Sequence, residues 1–247
     1  MEIFKVESSN KSTDYRTDDS VKKCNSKISI GLISDRLRTL SLLARLCFPV
    51  PLHQAVYFLA DLEVAIKKLG GYPVAIKPLD ASNQQDTLNI NNLAEAQAAY
   101  ELALRVSESG EVLVEKYYFS NKKYRILIIS GRFIRAIEIT SLQTNDCSRS
   151  WLEGTMLEYQ NYSNDDLKSK HTGNSASKID KRGKIIRDFT NQIHVQNISL
   201  TQKVAKIVGL DTVEIEIVSE DLSLPLNSIN GVIINVNSFF RLNSYFL

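Results

Sequence analysis

Short apolar runs and amphipathic helical patterns follow one another irregularly along this chain. Val74, Ala75 and Ile76 form a continuous apolar run between Gly70-Gly71 and Pro78, which predicts a buried strand. Apolar residues at spacings of three and four predict helices in the ranges 34–48, 61–69, 92–109 and 197–208. The N-caps of the first, third and fourth helices are predicted at Ser34, Asn92 and Asn197, and the last helix is predicted to end at Gly209. Further strands are predicted at 27–32, 54–58, 87–90, 111–115, 124–129, 133–139, 212–218 and 231–236. Because strands and helices do not alternate regularly, the pattern indicates an α+β fold.

Two polar regions interrupt this pattern. Residues 1–26 carry few large apolar side chains, which predicts a tail with little buried area. Residues 141–182 are rich in Ser, Asn, Asp and Lys. A loop of that length inside a compact domain is usually functional or disordered.

Composition excludes some classes of function. The net charge of +2 comes without a long basic block, so neither nucleic acid nor a membrane surface is indicated as a partner. The most apolar segment, 39–60, is interrupted by Arg45, Pro49, Pro51 and His53 and is too broken to span a bilayer. The three cysteines form no CxxC pair, and the N-terminus lacks the apolar core of a secretory signal. We therefore expect a cytoplasmic protein.

Lys77 ends the apolar run of 74–76 and precedes a polar loop. A lysine at a strand end can hold a phosphate chain as a point charge while loop amides shape the site. The alternative is a lysine whose stem lies along the core while its ammonium group reaches water. The stretch taken alone favours this second interpretation.

Five stretches in a fixed order together resemble the ATP-grasp ligases, and within them the central ATP-grasp domain of the cyanophycin synthetases. They are 71–80, 112–117 with Tyr124-Arg125 downstream, 188–197, 208–218 and 224–237. The resemblance implies two α+β lobes with a nucleotide cleft between them. It places the N-terminal lobe at 34–117 and the C-terminal lobe at 118–247, with a polar insertion at 141–182 and a tail at 1–33. The flanking domains of such a synthetase have no counterpart in these 247 residues.

The family resembled here uses ATP and magnesium to phosphorylate a carboxylate, and an amine then attacks the acylphosphate. The resemblance implies that Lys77 holds phosphates and that the backbone of Glu115, Lys116 and Tyr117 contacts adenine. Arg125 would line the cleft as the catalytic candidate. It also implies magnesium ligands at three positions, which are Glu216, Asn235 and Asn237.

The chain departs from the family pattern at several of these positions. Residues 80–87 contain no glycine, so fewer backbone amides can close over phosphates than in a glycine-rich loop. Glu216 stands where the family has aspartate, and Asn235 stands where it has glutamate, although magnesium prefers anionic oxygen. The family's acidic residue near the ribose falls at Lys122 or Lys123, and a lysine cannot accept a hydrogen bond. We therefore expect a weakened activity.

Alternatives to an ATP-dependent carboxylate-amine ligase remain open. One is a non-catalytic module that pairs with a full-length homologue or with itself, and another is a remnant without activity. A ligase would take an amino-acid or peptide substrate. Judged singly, Glu115 and Arg125 could be surface charges, and Glu214 and Glu216 could be the solvent face of an alternating strand.

Overall fold

The computed structural model describes residues 25–79, 87–141, 177–179 and 184–238. The predicted tail before residue 25, the glycine-free loop at 80–86 and most of the predicted insertion lie outside this part of the chain. The helices are α1 (Lys27–Ser34), α2 (Arg36–Arg45), α3 (Leu62–Lys68), α4 (Leu93–Val106) and α5 (Val195–Val208). None of them is long and apolar enough to cross a bilayer.

The strands form two separate antiparallel sheets. The first sheet has the order β1-β4-β2-β3 and contains β1 (His53–Val56), β2 (Val74–Pro78), β3 (Thr87–Ile90) and β4 (Val112–Lys116). The second has the order β10-β9-β5-β6-β8-β7. It contains β5 (Lys122–Ile129), β6 (Arg132–Ser141), β7 (Ser177–Ile179), β8 (Lys184–Asp188), β9 (Thr212–Val218) and β10 (Val232–Asn237). The predicted α+β class is therefore confirmed.

One face of the first sheet is covered by α3 and α4. Val74, Ile76 and Val114 point to this side and join the apolar residues of both helices in one core. The predicted start of α4 is confirmed, because the Asn92 side chain accepts a hydrogen bond from the backbone N–H of Glu95 at 2.9 Å. Strand side chains alternate between faces, so the intervening positions of β2 and β4 lie on the opposite face.

The second sheet is organised in the same way around α5. Its inner face contributes apolar residues from β5, β9 and β10 to a core shared with α5. The predicted end of α5 at Gly209 is confirmed by its left-handed backbone, with φ 69°. The hairpin at Ser130-Gly131, which joins β5 to β6, also has positive φ at both residues.

The N-terminal helices contact both sheets. In α1, the Ser29 hydroxyl donates to the Gly209 carbonyl at 2.8 Å, which ties this helix to the end of α5. Leu43 of α2 lies in the core of the second sheet, whereas Leu40 packs with Leu113 of the first sheet. This segment therefore lies between the two sheets.

Some predicted elements were wrong. The strand expected at 27–32 is helix α1, which Ser26 caps by accepting from Ser29 N–H at 3.0 Å. The cap of α2 is Asp35 and not Ser34, and the cap of α5 is His194 and not Asn197. Asn197 instead lies in the first turn, where its buried amide bonds to three backbone groups, the carbonyls of Leu222 and Leu224 and the N–H of Leu226. Strand β7 lies inside the predicted insertion.

Candidate functional site

Glu115 is the centre of a buried charge cluster on the face of the first sheet opposite α3 and α4. Its carboxylate accepts from Lys77 Nζ at 3.0 Å and from Arg36 Nε at 2.6 Å. Glu115 faces Ala75 across the β2–β4 pair, so Lys77, two residues on, lies on the same face. Glu115 is 2% exposed and Lys77 is 6% exposed. The interpretation of Glu115 as a surface charge was therefore wrong, and so was that of Lys77 as a side chain whose ammonium group reaches water.

Arg36 connects this cluster to the second sheet. Its Nη2 atom donates to Glu115 Oε2 at 3.3 Å and to the carbonyl oxygen of Ile234, in β10, at 2.7 Å. A guanidinium group carries several donors in a fixed plane, which allows one side chain to bond to both sheets. Arg36 was not predicted as a site residue, and nothing in its local sequence indicates this role.

The charges around Glu115 lower its pKa. Burial alone would raise the pKa, because it disfavours the ionised carboxylate. The positive charges of Arg36 and Lys77, with their hydrogen bonds, outweigh burial and lower the pKa of Glu115 to about 2. Glu115 is therefore ionised at neutral pH and holds two cations in place.

A second group of charges lies on the outer face of β5 and β9. Glu216 forms ion pairs with Lys123 at 2.8 Å and with Arg125 at 3.2 Å. Burial raises the pKa of Glu216, but Lys123 and Arg125, and also Arg36, lower it to about 2. Arg36 bonds to the carbonyl of Ile234, and the next residue, Asn235, faces Glu216 across β10 and β9, so the two groups of charges adjoin and form one cluster between the sheets. Glu216 is 6% exposed, so its interpretation as a solvent-facing charge was wrong.

The neighbouring positions complete this half of the site. Glu214 lies 4.0 Å from Arg125 Nε and accepts from Asn237 Nδ2 at 3.4 Å. The Lys122 ammonium group is paired with Glu138, at 3.5 Å, whereas the Lys123 ammonium is paired with Glu216. Of the two lysines that could stand near a ribose, Lys123 is therefore the one on the face that carries Glu216.

The predicted adenine segment has only part of its backbone available. The N–H of Lys116 donates to the Leu52 carbonyl at 2.8 Å, and the N–H of Tyr117 donates to the Pro73 carbonyl at 3.1 Å. The Lys116 ammonium group donates to the carbonyls of Gly71 and Tyr72. Any backbone donor for adenine would therefore come from a residue beyond Tyr117.

The predicted magnesium ligands fit a metal poorly as the structure arranges them. The Glu216 carboxylate is already bound by two cations, and the Asn235 oxygen accepts from Val236 N–H at 3.1 Å. Within the described ranges, no group of three or more His, Cys, Asp or Glu residues could hold a metal ion. At an effective dielectric constant of about 20, a divalent ion ~4 Å from one ammonium group meets a repulsion of roughly 8 kcal/mol. The magnesium site remains a prediction, and the contacts of Glu216 and Asn235 argue against it.

A separate open depression of about 600 Å³ lies beside the C-terminal half of α5. Its lining includes Gly131, Lys203, Lys206 and Asp211 and contains none of the predicted site residues. The charge cluster between the sheets is the better candidate, because it brings together Lys77, Glu115 and Glu216, which the family resemblance selected.

Comparison with solved structures defines the class of fold. A D-alanine–D-alanine ligase from Bacillus anthracis complexed with ATP superposes with a TM-score of 0.57 and 13% identity, covering 87% of this chain and 57% of that one. The ATP-grasp ligase PsnB, complexed with a minimal precursor, gives a TM-score of 0.56 and 15% identity over 90% of this chain and 57% of that one. The chain therefore has an ATP-grasp fold, as predicted.

Comparison with curated proteins identifies a particular group within that class. A cyanophycin synthetase from Synechocystis is 34% identical over 85% of this chain, and one from Trichormus variabilis is 32% identical over the same share. The chain spans only 28% and 27% of the length of these two relatives. No family model matches the chain. It is thus a cyanophycin-synthetase-like ATP-grasp protein, related to one part of those enzymes.

Proposed function

We propose that this protein binds ATP in the cleft between its two sheets, as an ATP-grasp module of the carboxylate-amine ligase type. The observation that carries the proposal is the buried cluster in which Glu115 holds Lys77 and Arg36 while Arg36 bonds to the second sheet. An ion-paired lysine fixed between two sheets is preorganised to meet a phosphate chain.

In this proposal each half of the cluster has its own role. Lys77 contacts phosphate, and Arg125, whose side chain is 32% exposed, lines the cleft from the second sheet. The strand end at 115–117 contacts adenine through carbonyl oxygens, because the N–H groups of Lys116 and Tyr117 are already bonded. The amino group of adenine is a donor that such oxygens can accept.

A weakened ligase activity on an amino-acid or peptide substrate follows from the same proposal. The relatives with similar sequences are cyanophycin synthetases, and the structural neighbour PsnB forms a complex with a precursor peptide. Glu216, Asn235 and Asn237 would have to assist phosphoryl transfer, and their poor fit to magnesium is the reason for a weakened reaction. Chemistry of this kind depends on charge placed against the transferring group.

Isothermal titration calorimetry with ATP in magnesium buffer tests the binding proposal. Saturable heat is expected, and Lys77→Met should weaken binding by about 10-fold to 150-fold, the equivalent of one charge-assisted hydrogen bond. Lys67→Met is the matched control, because Lys67 is also paired with a glutamate, Glu63, but on an exposed helix. Circular dichroism shows whether both variants are folded. Absence of heat from the folded wild-type protein at millimolar ATP contradicts the proposal.

A second candidate is a non-catalytic module that acts through another protein, either a second copy or a full-length synthetase. It is favoured by the two cations that neutralise Glu216 at a position where the reaction would need a metal. Size-exclusion chromatography with light scattering, with and without a full-length cyanophycin synthetase, measures this directly. A monomer that does not co-elute with the synthetase argues against the second candidate.

A further inference from the structure

The charge cluster between the sheets contains more cations than carboxylates. Among the described residues, four cations stand against three carboxylates in this cluster, namely Arg36, Lys77, Lys123 and Arg125 against Glu115, Glu214 and Glu216. With the carboxylates ionised, these seven described residues together carry a net charge of plus one. A site of this composition attracts an anion without any metal.

The positions of the cations relative to Glu216 give a more specific result. Lys123 and Arg125 approach the two different oxygens of this carboxylate, Oε2 at 2.8 Å and Oε1 at 3.2 Å. The carboxylate group that a metal would use therefore has one cation on each oxygen. Lys123 and Arg125 also keep 29% and 32% of their side chains exposed, so each can reach a ligand in the cleft while it stays paired.

We propose that Lys123 and Arg125 take the place of the metal ion in this cleft, so that a nucleoside polyphosphate binds as the metal-free anion. The inference rests on the proposed function, since it specifies the form of the nucleotide that the same site takes. Lys123 contributes an ammonium group and Arg125 a guanidinium group, both strong donors to phosphate oxygen. Glu216 positions both cations and does not bind a metal.

Calorimetry with ATP in excess magnesium and again in excess EDTA tests this inference. The expected dissociation constants agree within about threefold. The double variant Lys123→Gln/Glu216→Gln removes one cation with its partner, which keeps the net charge and leaves no unpaired buried carboxylate. It should weaken ATP binding in EDTA by roughly tenfold or more. The matched control is Lys67→Gln/Glu63→Gln, which removes an ion pair of the same length, 2.8 Å, from an exposed helix and should leave ATP binding unchanged.

The outcomes separate the two proposals. Binding in magnesium that falls more than tenfold in EDTA overturns the inference and leaves the proposed ATP binding intact. Equal binding in both buffers with a folded but unaffected double variant overturns the assignment to Lys123. If circular dichroism shows that the double variant is unfolded, Arg125→Gln repeats the test. No binding in either buffer overturns both the proposed function and the inference.

Discussion

Replacing Glu115 by glutamine would test whether the buried cluster stabilises the fold. The change keeps the size of the side chain but leaves Lys77 and Arg36 buried without a counter-charge. Breaking a buried ion pair in this way costs about 3–5 kcal/mol. The pKa gives a second figure, since its fall from 4.5 to about 2 on folding corresponds to about 3 kcal/mol at neutral pH. We therefore expect Glu115→Gln to lower the free energy of unfolding by about 3 kcal/mol at pH 7.

Urea unfolding at pH 7 and at pH 3 measures this loss. The pKa of Glu115 is lower in the folded protein than in the unfolded chain, so the unfolded chain binds more protons as the pH falls. The stabilisation by Glu115 is therefore complete above about pH 4.5 and is lost as the pH falls through about 2. The cost of Glu115→Gln should therefore fall from about 3 kcal/mol at pH 7 to about 1.5 kcal/mol at pH 3. Glu63→Gln, in an exposed pair, should change little at either pH. A cost under about 1 kcal/mol at pH 7, or one that does not shrink in acid, would refute the reasoning.

Three further substitutions probe other contacts, each measured by urea unfolding at pH 7. Arg36→Lys keeps the charge but cannot reach both sheets, so it should cost about 1–3 kcal/mol, whereas Arg38→Lys, on a side chain that is 78% exposed, should be neutral. Asn197→Ala removes the three hydrogen bonds of a buried side-chain amide and should cost about 2–4 kcal/mol; a cost under about 1 kcal/mol would contradict this. Tyr124→Phe removes the bond from the Tyr124 hydroxyl to Glu138 at 2.9 Å and should cost about 1 kcal/mol. Burial and Glu138 raise the pKa of Tyr124, so its ultraviolet absorbance should not change before alkaline unfolding.

Sequence periodicity predicted the parts of the fold that are set by local rules. The strand at Val74 to Ile76 and the α4 cap at Asn92 were correct, because an apolar run and a capping residue act within a few positions. The helix at 27–34 was missed, since its apolar residues are mostly β-branched isoleucines, which also suit a strand, and its packing against α5 decides. Asn197 looked like a cap, but bonds to residues 25–29 positions away fix it inside α5.

The candidate site was predictable only in part, because its contacts join residues that are far apart in the chain. Lys77, Glu115 and Glu216 were selected by resemblance, and all three lie in the cluster between the sheets. The contacts among these residues were not predicted, because Arg36 reaches Glu115 across 79 residues and Lys123 reaches Glu216 across strands that adjoin only in the folded sheet. Such pairs follow from the tertiary fold and leave no local pattern.

The course of the chain between the sheets limits how they can move. Helices α1 and α2 pack on the core of the second sheet, and the chain then enters the first sheet at His53. It leaves again after Lys116 and enters the second sheet at Lys122. In the part of the chain that the structure describes, two crossings join the sheets, near residues 50–53 and 116–122, and two fixed points define an axis. Opening should therefore be a rotation about that one line, resisted by the bonds that Arg36 of α2 donates to Glu115 of the first sheet.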